Sequence, residues 1–462
     1  MAMTGEPLSE RTADPTPEPA DTTPTSAVRA TKAAHVPHRW RNLLTMTGVV
    51  VVDSTEGGIT TGLFPTIAKA LGLDNGNLGI LAAAGKIISV PFGPAWVWVA
   101  GKTSRRTALA LSTALAGVFG IIAGFANGFT MLLIFNTLMA AALIGSQPIS
   151  NAVIADTFED RRRGRAVGIF YGVAAIASSV LSPLIAQLSR FSDGWRLGMW
   201  IVGVICILGS FAVFALFKDP GVGAAEKQLA DLPESQREKV RPTLRSVMSL
   251  FAVPSYSVMM ASRLLSGHLL IGVFGIQFLV TERGFDNATA AIVALPFGVG
   301  YFVGTIAGGF IVGTLDNVLP HRGRVIFIQA AQVFFAVVAF FGTQFDYKNI
   351  AIYAVFWGLM GIGQGVNPGV NRPIVMSVTL PELRGQAFAI MITIFEAIGW
   401  ALFSIGAGAL ADALGIQEVF LWILVILMLA NAAVLSILYF TYPKDARRVT
   451  ATLDARREQL VG

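Results

Sequence analysis

The chain has 462 residues, 54% of them hydrophobic and only 13% charged, with a mean hydropathy of +0.65. Soluble domains carry about 25% charged residues, so a soluble globular protein is excluded and a membrane protein with room for many spans of about 20 residues is expected. A net charge of +6 is no nucleic-acid signature here, because the cations follow membrane topology, and a single cysteine, Cys206, excludes a disulfide framework.

The first stretch, residues 1–40, is polar and rich in Pro, Thr, Ala and Glu, as in PLSERTADPTPEPADTTPTS. It lacks the apolar core of a secretory signal and reads as a disordered cytoplasmic tail. Six apolar segments follow near 43–66, 77–100, 107–126, 130–154, 165–188 and 197–217. The polar residues 218–253 carry EKQLADLPESQREKVRPTLRSVMSLF, a pattern that predicts one or two amphipathic surface helices. Six more apolar segments lie near 255–280, 289–313, 324–343, 350–377, 385–411 and 419–441, before a second polar tail over 443–462. Each apolar segment can span as a helix, which satisfies its own backbone in lipid. The expected architecture is therefore an all-α membrane protein of twelve transmembrane helices. Two six-helix bundles, 41–217 and 254–442, flank a cytoplasmic linker at 218–253.

The distribution of Lys and Arg tests that topology. Of 34, Lys86, Arg263 and Arg372 are intramembrane. Lys69, Arg190, Arg196, Arg283 and Lys348 fall on one side and the other 26 on the opposite side, with both termini. The expectation is a multi-pass cell-membrane protein with both termini cytoplasmic.

The halves echo each other. LGLDNGN at 71–77 matches RGFDNAT at 283–289, and Gly101 matches Gly313, at an offset of 212. Gln147, Pro148 and Asn151 match Asn367, Pro368 and Asn371 at 220, and RRGRAVGIF at 162–170 echoes ELRGQAFAI at 382–390, with Arg163 and Gly164 on Arg384 and Gly385 at 221. Parallel six-helix repeats with a binding site between them are a transporter architecture.

FEDRRRGRAVGIF, LPELRGQAFAI and the basic turn AGKTSRR together resemble the major facilitator superfamily over about residues 40–445. That family's 2–3 loop carries a Gly-x-x-x-Asp-Arg-x-Gly-Arg-Arg type motif. Its Asp position falls on Gly101 here, while Lys102, Arg105 and Arg106 keep the cationic part; Gly313, Asp316, Arg322 and Arg324 form a better C-terminal copy. The resemblance implies cytoplasmic gate loops built from these residues with Arg163 and Arg384. IADTFEDRRRGRAVGIFYGVAAIASS and VDSTEGGITTGLFPTI further resemble the spinster-type lipid transporters, whose first helix has an acid at the place of Asp53. The Arg and Glu of those proteins' fourth helix fall on Asn136 and Leu143, a departure. Drug/proton antiporters usually show a Gly-Pro-rich helix 5; this chain has Gly168, Gly172 and Pro183.

Ionisable groups deep in apolar segments mark substrate or ion pathways by default. Asp53 and Glu56, three apart, share a helix face; two carboxylates so close in low dielectric favour a proton on one of them. With His268, which falls at the pseudo-symmetric position of Glu56, and Glu396, they are the candidate proton-coupling groups. Lys86, Gln147, Asn151, Arg263, Asn367, Asn371 and Arg372 are the candidate substrate-binding groups. Two prolines and three glycines in GQGVNPGVNRPIVM predict a kinked or broken helix 10 with free carbonyls. Phe170, Trp357, Phe395 and Trp400 are either apolar walls of a substrate site or core packing. No P-loop, metal-ligand cluster or nucleophile motif is found, so no enzyme, cofactor or metal is expected. The expected function is proton-coupled secondary transport of an amphiphilic solute by alternating access, with a lysophospholipid as best candidate. The alternative is a proton-coupled multidrug or metabolite antiporter; a membrane receptor or sensor is the rival from another class. The expected partners are that small amphiphilic or lipid substrate, protons and membrane lipids, with the chain a monomer.

Overall fold

Helices account for every regular element among the described residues of the computed structural model, which are 1–2, 36–73, 75–191, 193–229, 242–285 and 287–461. Some side chains within these helices, those of Asp53 and Glu56 included, are outside the description. The polar tail expected before residue 36 also lies outside it, and all contacts below belong to the unit Ala34–Gly462.

The first bundle comprises α1 (Arg39–Gly62), α2 (Asn75–Lys102), α3 (Arg105–Gly124), α4 (Phe129–Thr157), α5 (Asp160–Ala186) and α6 (Gly194–Leu216). The second comprises α7 (Pro254–Thr281), α8 (Asn287–Val318), α9 (Arg322–Gln344), α10 (Ile350–Val378), α11 (384–414) and α12 (Ile416–Leu435). Among the described residues nine of these are long and apolar enough to cross a membrane. A further helix, α13 (Leu438–Val461), forms from the residues expected as a tail. In the linker, residues 218–229 are loop and turns, and one short helix, Leu244–Met248, lies under a Thr243/Ser246 capping box; the rest of the expected amphipathic stretch, 230–241, lies outside the described residues.

Helix irregularities fall where lipid cannot punish them. α7 stops at Leu264 and restarts at Leu270, with a 3-10 turn over Gly267–Leu269. Only glycine fits the turn's approach to α12, because a Cβ on Gly267 would overlap the Ile423 carbonyl. α11 contains a π-helical stretch, Ile390–Phe395, immediately before Glu396, the sort of bulge that accompanies functional sites. α10, by contrast, is one continuous helix, so of the expected kink or break the break does not occur. Proline at 368 removes the donor for the Gln364 carbonyl, and Asn367 Nδ2 supplies one instead at 3.1 Å. The Pro373 carbonyl accepts from Ser377 Oγ at 2.8 Å.

The two bundles meet unevenly. On the side of the 6–7 linker, a single apolar core runs through both and includes Leu43, Trp96 and Phe170 with Val312, Ile374 and Phe388. On the opposite side the buried apolar residues divide into two clusters, one within Leu63–Cys206 and one within Leu270–Met428. The contacts between bundles run α5 on α8 and α10, and α2 and α4 on α11. Small residues permit them: a Cβ on Gly168 of α5 would stand 2.7 Å from the Thr305 carbonyl of α8, and one on Gly385 of α11 would stand 2.7 Å from Val97 of α2. The molecule is therefore shut on the linker side.

Candidate functional site

A charged cluster lies between the bundles. At a rise of about 1.5 Å per residue, Arg263, Tyr171 and Glu396 stand roughly 14–18 Å from the linker-side ends of α7, α5 and α11, near the middle of a hydrocarbon core of about 30 Å. Arg263 Nη2 approaches Glu396 Oε2 at 2.6 Å. Glu396 also feels Arg372 and Lys86, so three cations act on one carboxylate. The Lys86 ammonium is exposed and sits 5.6 Å from the Trp400 ring centroid. Arg372 is 6% exposed, lies 4.1 Å over the Tyr171 ring and donates to Asn371 Oδ1 at 3.1 Å. The Nε atoms of Arg263 and Arg372 are buried without an acceptor, a cost unless a further group pairs with them. Tyr301 of α8 completes the group, within electrostatic reach of Arg372, Glu396 and Tyr171.

Asn151 donates to the Gln147 carbonyl at 2.8 Å and to Tyr171 Oη at 2.7 Å, tying the polar pair of α4 to the aromatic under Arg372. Asn367 faces away, accepting from Gln332 of α9 at 2.8 Å. His268 is buried in the α7 turn, edge-on to Phe335 at 6.0 Å, with Nδ1 unpartnered. Phe170 and Trp357 are packed into cores at 0% and 1% exposure, so they are not walls of a cavity. Asp53 and Glu56, expected from the sequence as proton-coupling groups, lie on α1, outside the described side chains.

The linker side carries two buried ion networks that tie the bundles together. In one, Asp160 at the start of α5 receives Arg324 Nη2 at 2.6 Å and Ser377 Oγ at 2.7 Å, and Arg324 also engages Asp316 and the Tyr442 hydroxyl. Arg324 and Arg163 pull the Asp160 carboxyl well below the usual carboxylate range despite burial acting the other way. In the other, Asp156 at the end of α4 takes Arg105 at 2.7 Å and Arg384 of α11 at 3.0 Å, with the Gly223 amide at 3.0 Å. Glu226 of the linker bridges Arg163, at 2.6 Å, and Arg384. Burial acts to raise the Glu226 pKa, but Arg384 and Arg163 outweigh it and hold the group at about 2.

The sequence repeat is visible atom by atom. Arg163 donates to the carbonyl eight residues before it, Ala155, and Arg384 does the same to Met376. Arg105 engages Asp156, and its counterpart Arg324 engages Ser377, the residue 221 after Asp156. Of the expected gate residues, Arg105, Arg163, Asp316, Arg324 and Arg384 come together. Lys102 instead stacks on Trp98, Arg106 on Phe214, and Arg322 is exposed and enters no ion pair among the described residues. The acids Asp156, Asp160 and Glu226 and the aromatics Tyr171, Tyr301 and Tyr442 were not legible as site residues. Asp156 and Asp160 both lie just before the RRRGR run, which was the available signal; the tyrosines carry none.

Comparisons with known proteins agree with this geometry. The model of the Major Facilitator Superfamily matches residues 46–394 and again 269–461. A probable 4-methylmuconolactone transporter of Cupriavidus pinatubonensis is 30% identical over 32% of this chain and 36% of its own length. The transcription regulatory protein OpdE of Pseudomonas aeruginosa is 26% identical over 84% of this chain and 89% of its own length. A 3-(3-hydroxy-phenyl)propionate transporter of Escherichia coli is 23% identical over 58% and 62%. Among solved structures, the proton:xylose symporter XylE superposes with a TM-score of 0.67 at 12% identity over 88% of this chain and 96% of that one. An inward-facing bacterial homologue of human Spinster gives 0.53 at 16% identity over 90% and 98%. Twelve helices in two echoing bundles, buried charges between them and a family match over most of the length lead to one assignment: the chain belongs to the Major Facilitator Superfamily and is a multi-pass membrane transporter rather than an enzyme.

Proposed function

We propose that the chain is a proton-coupled symporter of a small organic anion, bound between the bundles and moved by alternating access. The observation that carries this is the excess of cations around Glu396: Lys86, Arg263 and Arg372 act on one described carboxylate. Arg372 has an unpartnered buried Nε beside Tyr171. A guanidinium fork on an aromatic shelf suits a carboxylate on a small apolar body. Asp53 and Glu56, by sequence spacing, would offset the excess when ionised and release it when protonated, which couples anion entry to proton uptake. The names of relatives handling an aromatic propionate and a muconolactone support the substrate class. A lysophospholipid is a weaker reading, since two of the four aromatics proposed to wrap its chain are core residues. The 26-to-5 cation asymmetry supports a cytoplasmic linker side. The shut linker side is then the cytoplasmic gate.

The test is uptake of radiolabelled 3-phenylpropionate into proteoliposomes under an inward proton gradient. Gradient-dependent uptake, lowered about tenfold to a hundredfold by Arg372→Ala and uncoupled from the gradient by Asp53→Asn, is expected. Uptake of lysophospholipid but not of carboxylates would return the assignment to lipid transport. Likeness to OpdE over most of the chain favours, as a second reading, a membrane sensor; it predicts ligand binding with no flux.

A further inference from the structure

Beside the gate, at the linker-side end of α1, lies a cavity that the ion networks do not use. It holds about 270 Å³ and is lined by Arg39, Trp40, Phe158, Arg162, Arg165 and Ala166. Arg39 is the first residue of α1, and Arg162 and Arg165 lie in the opening turns of α5. Two helix N-termini, each partially positive, thus meet three guanidiniums. Among the described residues no carboxylate lines the space: Asp160 is taken by Arg324, Arg163 and Ser377, and Glu159 is not among the walls. Among the described residues none of the three arginines forms an ion pair. Uncompensated cations at this density repel one another, and an anion between them relieves that.

The surroundings say which anion. Trp40 packs edge-on to Phe158 with centroids 5.5 Å apart and remains 46% exposed, like the tryptophans that sit at membrane interfaces. One turn further along α1, Leu44 is 63% exposed, and Phe310, over which Arg165 lies at 4.4 Å, is 41% exposed. An apolar track therefore descends from the cationic cavity along the outer face. A free phosphate would use the arginines and ignore that track; a phospholipid uses both.

We infer that this cavity binds the phosphate-bearing headgroup of an anionic phospholipid, with acyl chains along Leu44 and Phe310. Basic pockets between membrane helices recognise such headgroups. The bound lipid also steadies the gate, because Arg162 and Arg165 flank Arg163 on the same helix end that presents Asp160.

Native mass spectrometry of the full chain in detergent tests this, titrating phosphatidylglycerol, phosphatidylcholine and inorganic phosphate separately. Phosphatidylglycerol is expected to bind more tightly than phosphatidylcholine. The combination Arg39→Ala, Arg162→Ala and Arg165→Ala is expected to weaken it on the order of a hundredfold, at roughly fivefold per arginine. Arg447→Ala with Arg448→Ala, exposed positions on α13, is expected to leave it unchanged. Should the triple variant misfold, Arg165→Gln alone carries the test at about fivefold. Equal binding of the two lipids, or binding untouched by the cavity variants, overturns the site. Competition by millimolar inorganic phosphate overturns its assignment to lipid.

Discussion

Single carboxylates decide how this molecule holds itself shut. Glu226 sits between Arg163 and Arg384, both almost fully buried, so its ionised form is the only one that satisfies the pair. Its pKa of about 2 lies below the ordinary glutamate value of about 4.3. The gate open or the chain unfolded binds the proton more readily than the closed gate does. Stability from this group is therefore fully present above about pH 4.3 and is lost as pH falls toward about 2. Cellular pH changes leave this bridge ionised. Melting temperatures of the native chain and of Glu226→Gln check this. Their difference should stay constant from pH 8 to pH 5 and shrink below about pH 4.3. A difference that varies between pH 8 and pH 6 would mean that Glu226 titrates near neutrality and is not held ionised by the two arginines. Arg263 and Glu396 stand in a different setting: Glu396 keeps about a third of its side-chain surface accessible.

At the level of whole helices, the decisive contact is α5 against α8. Gly164 and Gly168 on one and Gly309 on the other let the backbones meet, and a Cβ on Gly164 would stand 2.7 Å from Val312. Gly168→Leu places a branched side chain against the Thr305 carbonyl, which cannot retreat without breaking its helix. It should populate the state open on the linker side, read as faster alkylation of a cysteine introduced at Ser377 in an otherwise Cys206→Ser background. Slower or equal labelling would show that the contact is not tight in the membrane. The sequence carried this level well. Segment lengths, cation asymmetry and the 212–221 offsets placed all twelve helices, because lipid imposes the length and the charge rule on every one of them. It did not reveal that α10 is continuous, since Asn367 repairs the gap left by Pro368 through a side chain that propensity ignores. Nor could it pair Asp156 with Arg384, 228 residues apart, because spacing fixes neighbours only within one helix. The helical α13 escaped for a related reason: its support is tertiary, from Asp445 accepting the Ser255 amide and Arg456 meeting Glu382.

Across the whole molecule, the gate networks and the shared apolar core stand on one side while the opposite side has two separate cores. That asymmetry fits the proposed rocking mechanism, in which each bundle would keep its own packing while the shared surface changes. The equilibrium between states is then set by the groups that bridge bundles. Asp156 is the most buried of them, at 0% exposure, and holds Arg105 of its own bundle and Arg384 of the other. Its removal leaves two buried guanidiniums facing each other, at a cost of about 3–5 kcal/mol to the closed gate, a bias of more than a hundredfold. If the open and closed states differ by less than that in the native chain, Asp156→Ala inverts the population. Spin labels on exposed positions of the linker-side ends, one at Lys102 of the first bundle and one at Arg322 of the second, report the change as a distance. The native chain should show a dominant short distance and Asp156→Ala a dominant long one. The double variant Asp156→Ala with Arg384→Met, which removes one of the stranded charges, should return part of the short population. A distance distribution unaltered by Asp156→Ala would mean that apolar packing, and not the ion network, holds the linker side shut.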